Sequence, residues 1–289
     1  MPHLPAFQPD PALFPFRSRW FDASAGKVHY LDEGEGPPIL FLHGNPTWSF
    51  LYRNIVLRLR RRFRCVALDY PGFGLSAHPE CYGYTPQEHA RVVLALLRHL
   101  DLSNLTIMGH DWGGPIGMRV ALDEVRRVRA LVMANTWYWP AEAWHMKTFG
   151  RVMSTALLQR LIVERNFFVE RLIPAGTKRP LEPAVMEHYR RVLPTPESRA
   201  GVAELPRQIL GASFWLGELS HAVPRVLGKL PILLTWGMRD LAFPRRFLAR
   251  FHKDFRSVRV RRLDARHFVQ EDAPAEIGEA IETFLRPLR

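Results

Sequence analysis

The sequence predicts an α/β fold on a mostly parallel sheet, with a helical block inserted late in the chain. Short apolar runs of strand type alternate with longer helix-like segments, as in parallel crossover units. This alternation stops between residues 137 and 229, where helix-like segments follow one another with frequent prolines. The 289 residues, 47% of them hydrophobic, are enough for one large globular core.

The individual elements follow from the apolar periodicity along the chain. The strand-like runs are Lys27–Leu31, Pro38–Leu42, Arg64–Leu68, Leu105–Met108, Val128–Met133, Ile232–Trp236 and Val258–Leu263. The helix-like segments of the core are Ser49–Leu59, Pro86–Leu100, Pro115–Leu122 and Ala273–Leu285. Lys27–Leu31 precedes the first helix, so it could pair as an antiparallel hairpin rather than in a parallel crossover.

We expect one catalytic core made of residues 1–136 and 230–289, with a helical cap formed by residues 137–229. The cap is rich in aromatic side chains, and only those on the side facing the core can line a pocket. The aromatic residues of the cap are Trp137, Tyr138, Trp139, Trp144, Phe149, Phe167, Phe168, Tyr189, Phe214 and Trp215.

The formal charge of +12 raises the question of nucleic-acid or membrane binding. The densest basic patch, Arg58 to Arg64, follows an amphipathic helix pattern, precedes a strand and matches no nucleic-acid motif. We therefore expect a solvated arginine-rich surface and no nucleic-acid function. No apolar run approaches membrane-spanning length, and the proline-rich start lacks a secretory h-region. These features predict a cytoplasmic protein whose two cysteines, Cys65 and Cys81, are free thiols.

The strongest functional signal is the segment Gly109-His110-Asp111-Trp112-Gly113, which follows the apolar run Leu105–Met108. Glycines on both sides of the central residue permit the sharp strand-to-helix turn of a nucleophile elbow, here with aspartate in the place of serine. A carboxylate is ionised at neutral pH and can displace a leaving group from saturated carbon. The competing interpretation is that Asp111 merely caps the following helix.

Two further residues favour catalysis over capping. Asp240 follows the strand-like run Ile232–Trp236, and His267 follows the last strand, so both lie at carboxyl ends of strands. An ester on Asp111 needs a general base to activate water, and the base needs a carboxylate to orient it. The order nucleophile, acid, histidine is that of α/β-hydrolases, so we assign Asp111, Asp240 and His267 as a catalytic triad.

The loop His43-Gly44-Asn45-Pro46 follows the strand-like run Pro38–Leu42 and occupies the place of an oxyanion loop. The backbone N–H groups of Asn45 and Trp112 are expected to hold the negative oxygen that develops on Asp111 during ester hydrolysis. Their side chains carry neutral N–H donors suited to a departing halide. The simpler interpretation is a turn-forming Asn-Pro pair and a packed tryptophan.

With these residues in place, the chain resembles the haloalkane dehalogenase family. The resemblance spans nearly the whole sequence and includes His43 to Asn54, Asp69 to Ser76, the elbow and His267-Phe268. It implies an α/β-hydrolase fold with a cap, Asp111 as nucleophile, His267 as base, and Asn45 with Trp112 as the halide pair. It also implies a small halogenated hydrocarbon, water and halide as reaction partners.

Family members place the third carboxylate after either of two strands, and the earlier position, Met133 to Thr136, has no acid here. Asp240 is therefore the candidate acid. An aspartate acid with an asparagine halide ligand resembles the third subgroup of the family, and that analogy suggests a homo-oligomer.

Two other functions stay open at this point. The elbow also occurs in epoxide hydrolases, where two cap tyrosines supply the acid, and Tyr138 and Tyr189 could serve. A binding protein that keeps the pocket without turnover is the other alternative. The run Gly72 to Ala77 imitates a dinucleotide fingerprint, but the next helix starts too late for a pyrophosphate site. The histidines lack metal-ligand spacing, so we expect no metal and no cofactor.

Overall fold

A computed structural model describes residues 4–288 and contains one eight-stranded sheet. In chain order the strands are β1 Arg19–Ala23, β2 Gly26–Glu33, β3 Pro38–Leu42, β4 Arg64–Leu68, β5 Leu105–Asp111, β6 Val128–Thr136, β7 Ile232–Gly237 and β8 Val258–Leu263. Their order across the sheet is β1-β2-β4-β3-β5-β6-β7-β8. The strands from β3 to β8 pair in parallel, which confirms the predicted fold class.

The antiparallel part of the sheet lies at one edge. Strand β2 pairs antiparallel with β1 and with β4, so the hairpin predicted at Lys27–Leu31 is present. The sequence analysis missed β1. Its side chains are mostly exposed, and an exposed edge strand carries little of the apolar signal on which the prediction depends.

Among residues 4–288, six helices pack around the sheet and six lie in the segment 137–229, which is called the cap from here on. Those packed around the sheet are α1 Arg53–Leu59, α2 Pro86–His99, α3 Gly113–Asp123, α10 Leu248–Asp254, α11 Val269–Asp272 and α12 Pro274–Leu285. Those of the cap are α4 Trp144–Met153, α5 Ala156–Arg165, α6 Ile173–Ala175, α7 Pro183–Arg191, α8 Ala200–Gly211 and α9 Ser213–Val226. The helix expected over Ser49–Leu59 begins instead as a 3₁₀ turn, Ser49–Tyr52, before α1.

The start of α2 shows why the glycine-rich run before it is a structural turn. Thr85 accepts a hydrogen bond from the backbone N–H of Glu88, and Glu88 accepts one from the backbone N–H of Thr85. This capping box fixes the helix start at Pro86, well beyond Gly72 and Gly74, which adopt positive φ. No helix N-terminus therefore follows the glycines closely enough to receive a pyrophosphate.

Three arginines of the basic patch form ion pairs, and both cysteines are unpaired. Arg58, Arg60 and Arg64 form ion pairs with Glu282, Glu33 and Asp32 respectively. Cys65 and Cys81 are both free thiols, the first buried and the second exposed. Among residues 4–288, no helix combines the length and the apolarity needed to cross a membrane.

Candidate active site

The elbow between β5 and α3 projects Asp111 from the carboxyl edge of the sheet. Strand β5 extends to Asp111 itself, which has a φ of 51°, a conformation that costs energy for a residue with a side chain. The hydroxyl of Thr136 donates to the backbone carbonyl of Asp111 and supports the turn. At Gly44 an added Cβ would lie 2.3 Å from the Cβ of Asp111, so only glycine allows this approach of the β3 loop.

The two carboxylate oxygens of Asp111 have different surroundings. Oδ1 accepts the backbone N–H of Asn45 at 2.9 Å, and the backbone N–H of Trp112 also bonds the carboxylate. Oδ2 lies 3.9 Å from Nε2 of His267, beyond hydrogen-bond distance. Burial raises the pKa of Asp111, although the charge of His267 and the two backbone N–H groups oppose that rise. One oxygen is therefore held by donors, while the other faces the histidine.

His267 is oriented from two directions. Its Nδ1 lies 3.0 Å from Oδ2 of Asp240, and its backbone carbonyl accepts a hydrogen bond from Nε2 of His110 at 3.0 Å. Burial alone would lower the pKa of His267, but the charge and hydrogen bond of Asp240 and the charge of Asp111 overcome this and raise it. For Asp240, burial favours a higher pKa, but His267 and the surrounding donors hold the pKa below its usual range.

Asn135 is a member of this site that the sequence analysis missed. It lies at the carboxyl end of β6, is fully buried, and donates its side-chain amide to Oδ2 of Asp240 at 2.8 Å. Asn135 is not an acid, so the expected position of a catalytic carboxylate at Met133 to Thr136 does not point to it. A polar residue at the end of a strand beside β7 is the signal that could have found it.

Asn45 and Trp112 border the same space through their side chains. Both line the cavity above Asp111. The Nδ2 group of Asn45 also donates to the backbone carbonyl of Val202 in cap helix α8, at 3.1 Å. His43 holds the loop before Asn45: its Nδ1 bonds the Gly44 carbonyl and its Nε2 accepts the Tyr70 N–H. Burial lowers the pKa of His43 to about 4, so it stays neutral and structural.

The cavity lies between the core and the cap and has a volume of about 720 Å³. Its base is polar and contains all five residues predicted for the site. Its walls are mostly apolar and are formed largely by cap side chains. Among the aromatic residues of the cap, Trp137, Phe149 and Phe168 line it. Leu241, which is 91% exposed, also lines the cavity.

The two tyrosines considered as acids for epoxide opening are engaged elsewhere. The hydroxyl of Tyr138 donates to Oδ2 of Asp254 at 2.6 Å, and the hydroxyl of Tyr189 donates to Glu271. Glu271 in turn forms a buried ion pair with Arg53. Among the described residues that line the cavity, neither tyrosine is present.

The family of the chain follows from comparison with known proteins. The α/β-hydrolase fold family matches residues 37–274. A Mycobacterium bovis protein named haloalkane dehalogenase 2 is 56% identical over 277 residues, covering 95% of this chain and 97% of the relative. The chain belongs to the haloalkane dehalogenase family. A crystal structure of haloalkane dehalogenase DatA from Agrobacterium tumefaciens C58 superposes with a TM-score of 0.87 at 27% identity, covering 97% of this chain and 100% of that one.

A more distant relative has a different name. A Shewanella oneidensis protein named cis-3-alkyl-4-alkyloxetan-2-one decarboxylase is 30% identical, covering 94% of this chain and 89% of the relative. Membership of the haloalkane dehalogenase family confirms the predicted family and enzyme class, and the name of the Mycobacterium bovis relative supports dehalogenase activity. The assignment to the third subgroup stays a prediction.

Proposed function

We propose that this enzyme hydrolyses haloalkanes to an alcohol, a halide ion and a proton through a covalent ester on Asp111. The observation that carries the proposal is that the two oxygens of the Asp111 carboxylate have different neighbours. Oδ1 accepts the backbone N–H of Asn45 at 2.9 Å, whereas Oδ2 lies 3.9 Å from Nε2 of His267. A carboxylate held in this way can attack carbon with Oδ2 while Oδ1 stays bound as the ester carbonyl oxygen.

In the first step, Oδ2 of Asp111 attacks the halogen-bearing carbon in line, and the carbon–halogen bond breaks. The bonding electrons leave with the halide, so negative charge moves from the carboxylate to the leaving atom. The side-chain amide of Asn45 and the indole N–H of Trp112 are neutral donors at the cavity base. We assign these two groups to the halide, because donors aimed at the developing charge stabilise the transition state.

In the second step, His267 takes a proton from water, and the resulting hydroxide attacks Cγ of the Asp111 ester. The negative oxygen that forms is Oδ1, which already accepts the backbone N–H of Asn45, and we assign the backbone N–H of Trp112 to the same oxygen. Ester formation removes the charge of Asp111, which is one cause of the raised pKa of His267. The histidine therefore becomes easier to deprotonate when the base is needed. Asp240 keeps the ring oriented and stabilises the imidazolium.

The cavity supports one further candidate activity on the same residues, opening of an oxetan-2-one. Its volume of about 720 Å³ and its apolar walls offer room for two alkyl chains, as the decarboxylase relative's name requires. Attack of Asp111 Oδ2 on C4 would break the C4–O bond and release a carboxylate toward Asn45 and Trp112. Loss of CO₂ would then form the C3–C4 double bond as the Asp111 carboxylate leaves. Water would not be consumed.

The test is to incubate the enzyme separately with 1-bromohexane, with a cis-3-alkyl-4-alkyloxetan-2-one and with styrene oxide. The dehalogenase proposal predicts equal amounts of bromide and 1-hexanol, and no turnover by Asp111→Asn. The matched control is Asp264→Asn, an exposed carboxylate in the His267 loop. Alkene and CO₂ from the lactone, without bromide from the bromoalkane, would replace the proposal by the decarboxylase. Turnover of neither substrate, or of styrene oxide alone, would contradict both.

A further inference from the structure

The cap helix above the site contains a proline in its interior. Helix α8 runs from Ala200 to Gly211, and Pro206 lies in the middle of it. Within a helix each backbone N–H normally bonds the carbonyl four residues earlier. Proline has no N–H, so Pro206 cannot supply the bond that the Val202 carbonyl would otherwise accept. A buried carbonyl without a partner is costly, and another donor is therefore required.

That donor comes from the catalytic core. The side-chain Nδ2 of Asn45 lies 3.1 Å from the Val202 carbonyl oxygen, although the two residues are 157 positions apart. Asn45 is only 8% exposed and lines the cavity, whereas Val202 is fully buried. The missing hydrogen bond of the cap helix is thus replaced by a bond to the side chain that we assign to the halide.

This bond determines which way the amide of Asn45 points. A carbonyl oxygen only accepts hydrogen bonds, so the atom facing Val202 must be the nitrogen. The Oδ1 atom of Asn45 is buried and has no hydrogen-bond partner among the described residues, so no contact of that atom determines the orientation of the amide. The nitrogen carries two hydrogens, and one of them remains for the leaving group. The backbone N–H of Asn45 donates to Oδ1 of Asp111 at 2.9 Å.

We propose that Pro206 is a positioning residue for the leaving-group site. By leaving the Val202 carbonyl free, it allows the cap to bind one hydrogen of the Asn45 amide and so directs the other toward the departing halide. This inference rests on the proposed dehalogenase function. It also gives the cap a chemical role, because the donor for the leaving group is complete only when α8 is seated against the core.

The test compares Pro206→Ala with Pro224→Ala. Pro224 also lies inside a cap helix, α9, so it is a matched control for the general effect of removing a helix proline. Alanine at 206 restores an N–H that competes for the Val202 carbonyl. Loss of the Asn45 bond should weaken bromide binding and lower kcat/KM for 1-bromohexane by about five-fold each, the factor that corresponds to one ordinary hydrogen bond. Bromide binding is measured by quenching of tryptophan fluorescence with sodium bromide.

Stability provides an independent readout. Alanine is a better helix former than proline, so both variants should fold and keep or raise the Tm of the wild type. A proline with a purely structural role would change Tm and leave bromide affinity unaltered. Pro206→Ala is also made in an Asn45→Ala background, where it should change kcat/KM no further. Because Pro206 itself lines the cavity, this second comparison separates an effect through Asn45 from an effect on cavity shape.

Three results would overturn the inference while leaving the dehalogenase function intact. They are unchanged bromide affinity in Pro206→Ala, an equal loss in Pro224→Ala, and a loss in Pro206→Ala that persists in the Asn45→Ala background. Failure of the proposed function itself would be seen differently. In that case the wild-type enzyme would release no bromide from 1-bromohexane.

Discussion

The side-chain amide of Asn135 donates to Oδ2 of Asp240 across 2.8 Å, and the same oxygen accepts from Nδ1 of His267 at 3.0 Å. Asn135 is itself fixed, because its Oδ1 accepts the backbone N–H of Gly237 at 2.7 Å. The other oxygen of Asp240 accepts the backbone N–H of Ala242 at 2.7 Å. Donors thus surround this buried carboxylate, which keeps it ionised and aimed at His267.

Replacement of this carboxylate should separate the two chemical steps. We expect Asp240→Asn to lower kcat by roughly 10³- to 10⁴-fold, because the amide cannot stabilise the imidazolium and favours the wrong tautomer of His267. The first step does not use Asp240, so one equivalent of bromide should still be released in a rapid burst. Rapid-quench kinetics measure both phases. A variant that lost the burst and kept its steady rate would contradict the assignment of Asp240 to the second step.

The pH dependence of ester hydrolysis should depend on whether Asp111 is charged. In the free enzyme the pKa of His267 is raised, because Asp240 and Asp111 outweigh the effect of burial. A base must be neutral to accept a proton, so ester hydrolysis is fully active above the pKa that His267 has in the alkyl-enzyme and is lost as the pH falls through that pKa. Asp111→Asn removes one negative charge, as ester formation does, and should lower the pKa of His267.

NMR titration of His267 in the wild type and in Asp111→Asn measures this change directly. The acid limb of kcat in the wild type should also lie below the pKa of His267 in the free enzyme when ester hydrolysis limits the rate. An identical or higher pKa of His267 in Asp111→Asn would show that the charge of the nucleophile does not control the base.

Substitutions at the leaving-group site should distinguish halide from epoxide chemistry. We expect Asn45→Ala to lower kcat/KM for bromoalkanes by roughly 10- to 100-fold, since a hydrogen bond to a charged group is lost. Tyr138→Phe and Tyr189→Phe should stay close to the wild type, because these hydroxyls bond Asp254 and Glu271 away from the cavity. Halide release and diol formation from styrene oxide are measured in parallel. Loss of activity in the tyrosine variants with Asn45→Ala unaffected would favour the epoxide hydrolase.

Asp69 provides a prediction about stability rather than catalysis. It is fully buried, pairs with His29 at 2.8 Å and accepts the backbone N–H groups of Ser49 and Leu75. Burial would raise the pKa of Asp69, but these donors and the charge of His29 lower it. We expect Asp69→Asn to reduce the free energy of unfolding by about 2–4 kcal/mol, because an N–H then faces groups that donate.

The pH dependence of this contribution follows from the sign of the shift. A depressed pKa stabilises the fold above the pKa of the unfolded state, near 4, and the stabilisation is lost as the pH falls through the folded pKa. Urea unfolding of the wild type and Asp69→Asn at pH 7 and pH 3 measures it. The control is Asp101→Asn at the surface pair with Arg127, where the Asp101 side chain is 83% exposed and a much smaller loss is expected. Equal losses in both variants would contradict a special role for Asp69.

The parts of the fold that depend on local pattern were predictable from the sequence. Strands β3, β4 and β8 have the predicted bounds, because their ends coincide with changes in apolar pattern. Strand β5 was predicted to stop at Met108 but continues to Asp111, since the elbow residues keep parallel pairing with β6. Local pattern does not include such pairing, which involves residues distant in the chain.

The candidate site shows the same limit. The chemistry and order of Asp111, Asp240 and His267 could be inferred from residue type and position at strand ends. The hydrogen-bond partners of the two tyrosines could not be inferred, because the partner of Tyr189 is Glu271, 82 positions away. The bond between Asn45 and Val202 likewise depends on how the cap meets the core. Periodicity predicts which faces are apolar, but it does not specify which distant groups those faces meet.

The most direct test of the account is the mass of His267→Phe after exposure to 1-bromohexane. This variant keeps the nucleophile and the donors for halide but lacks the base, so the first step should proceed and the second should stop. Intact mass spectrometry should show one hexyl group on the protein, with one equivalent of bromide released, and peptide mapping should locate the group on Asp111. Bromide release without an adduct, or an adduct that forms equally in Asp111→Asn/His267→Phe, would contradict the covalent mechanism.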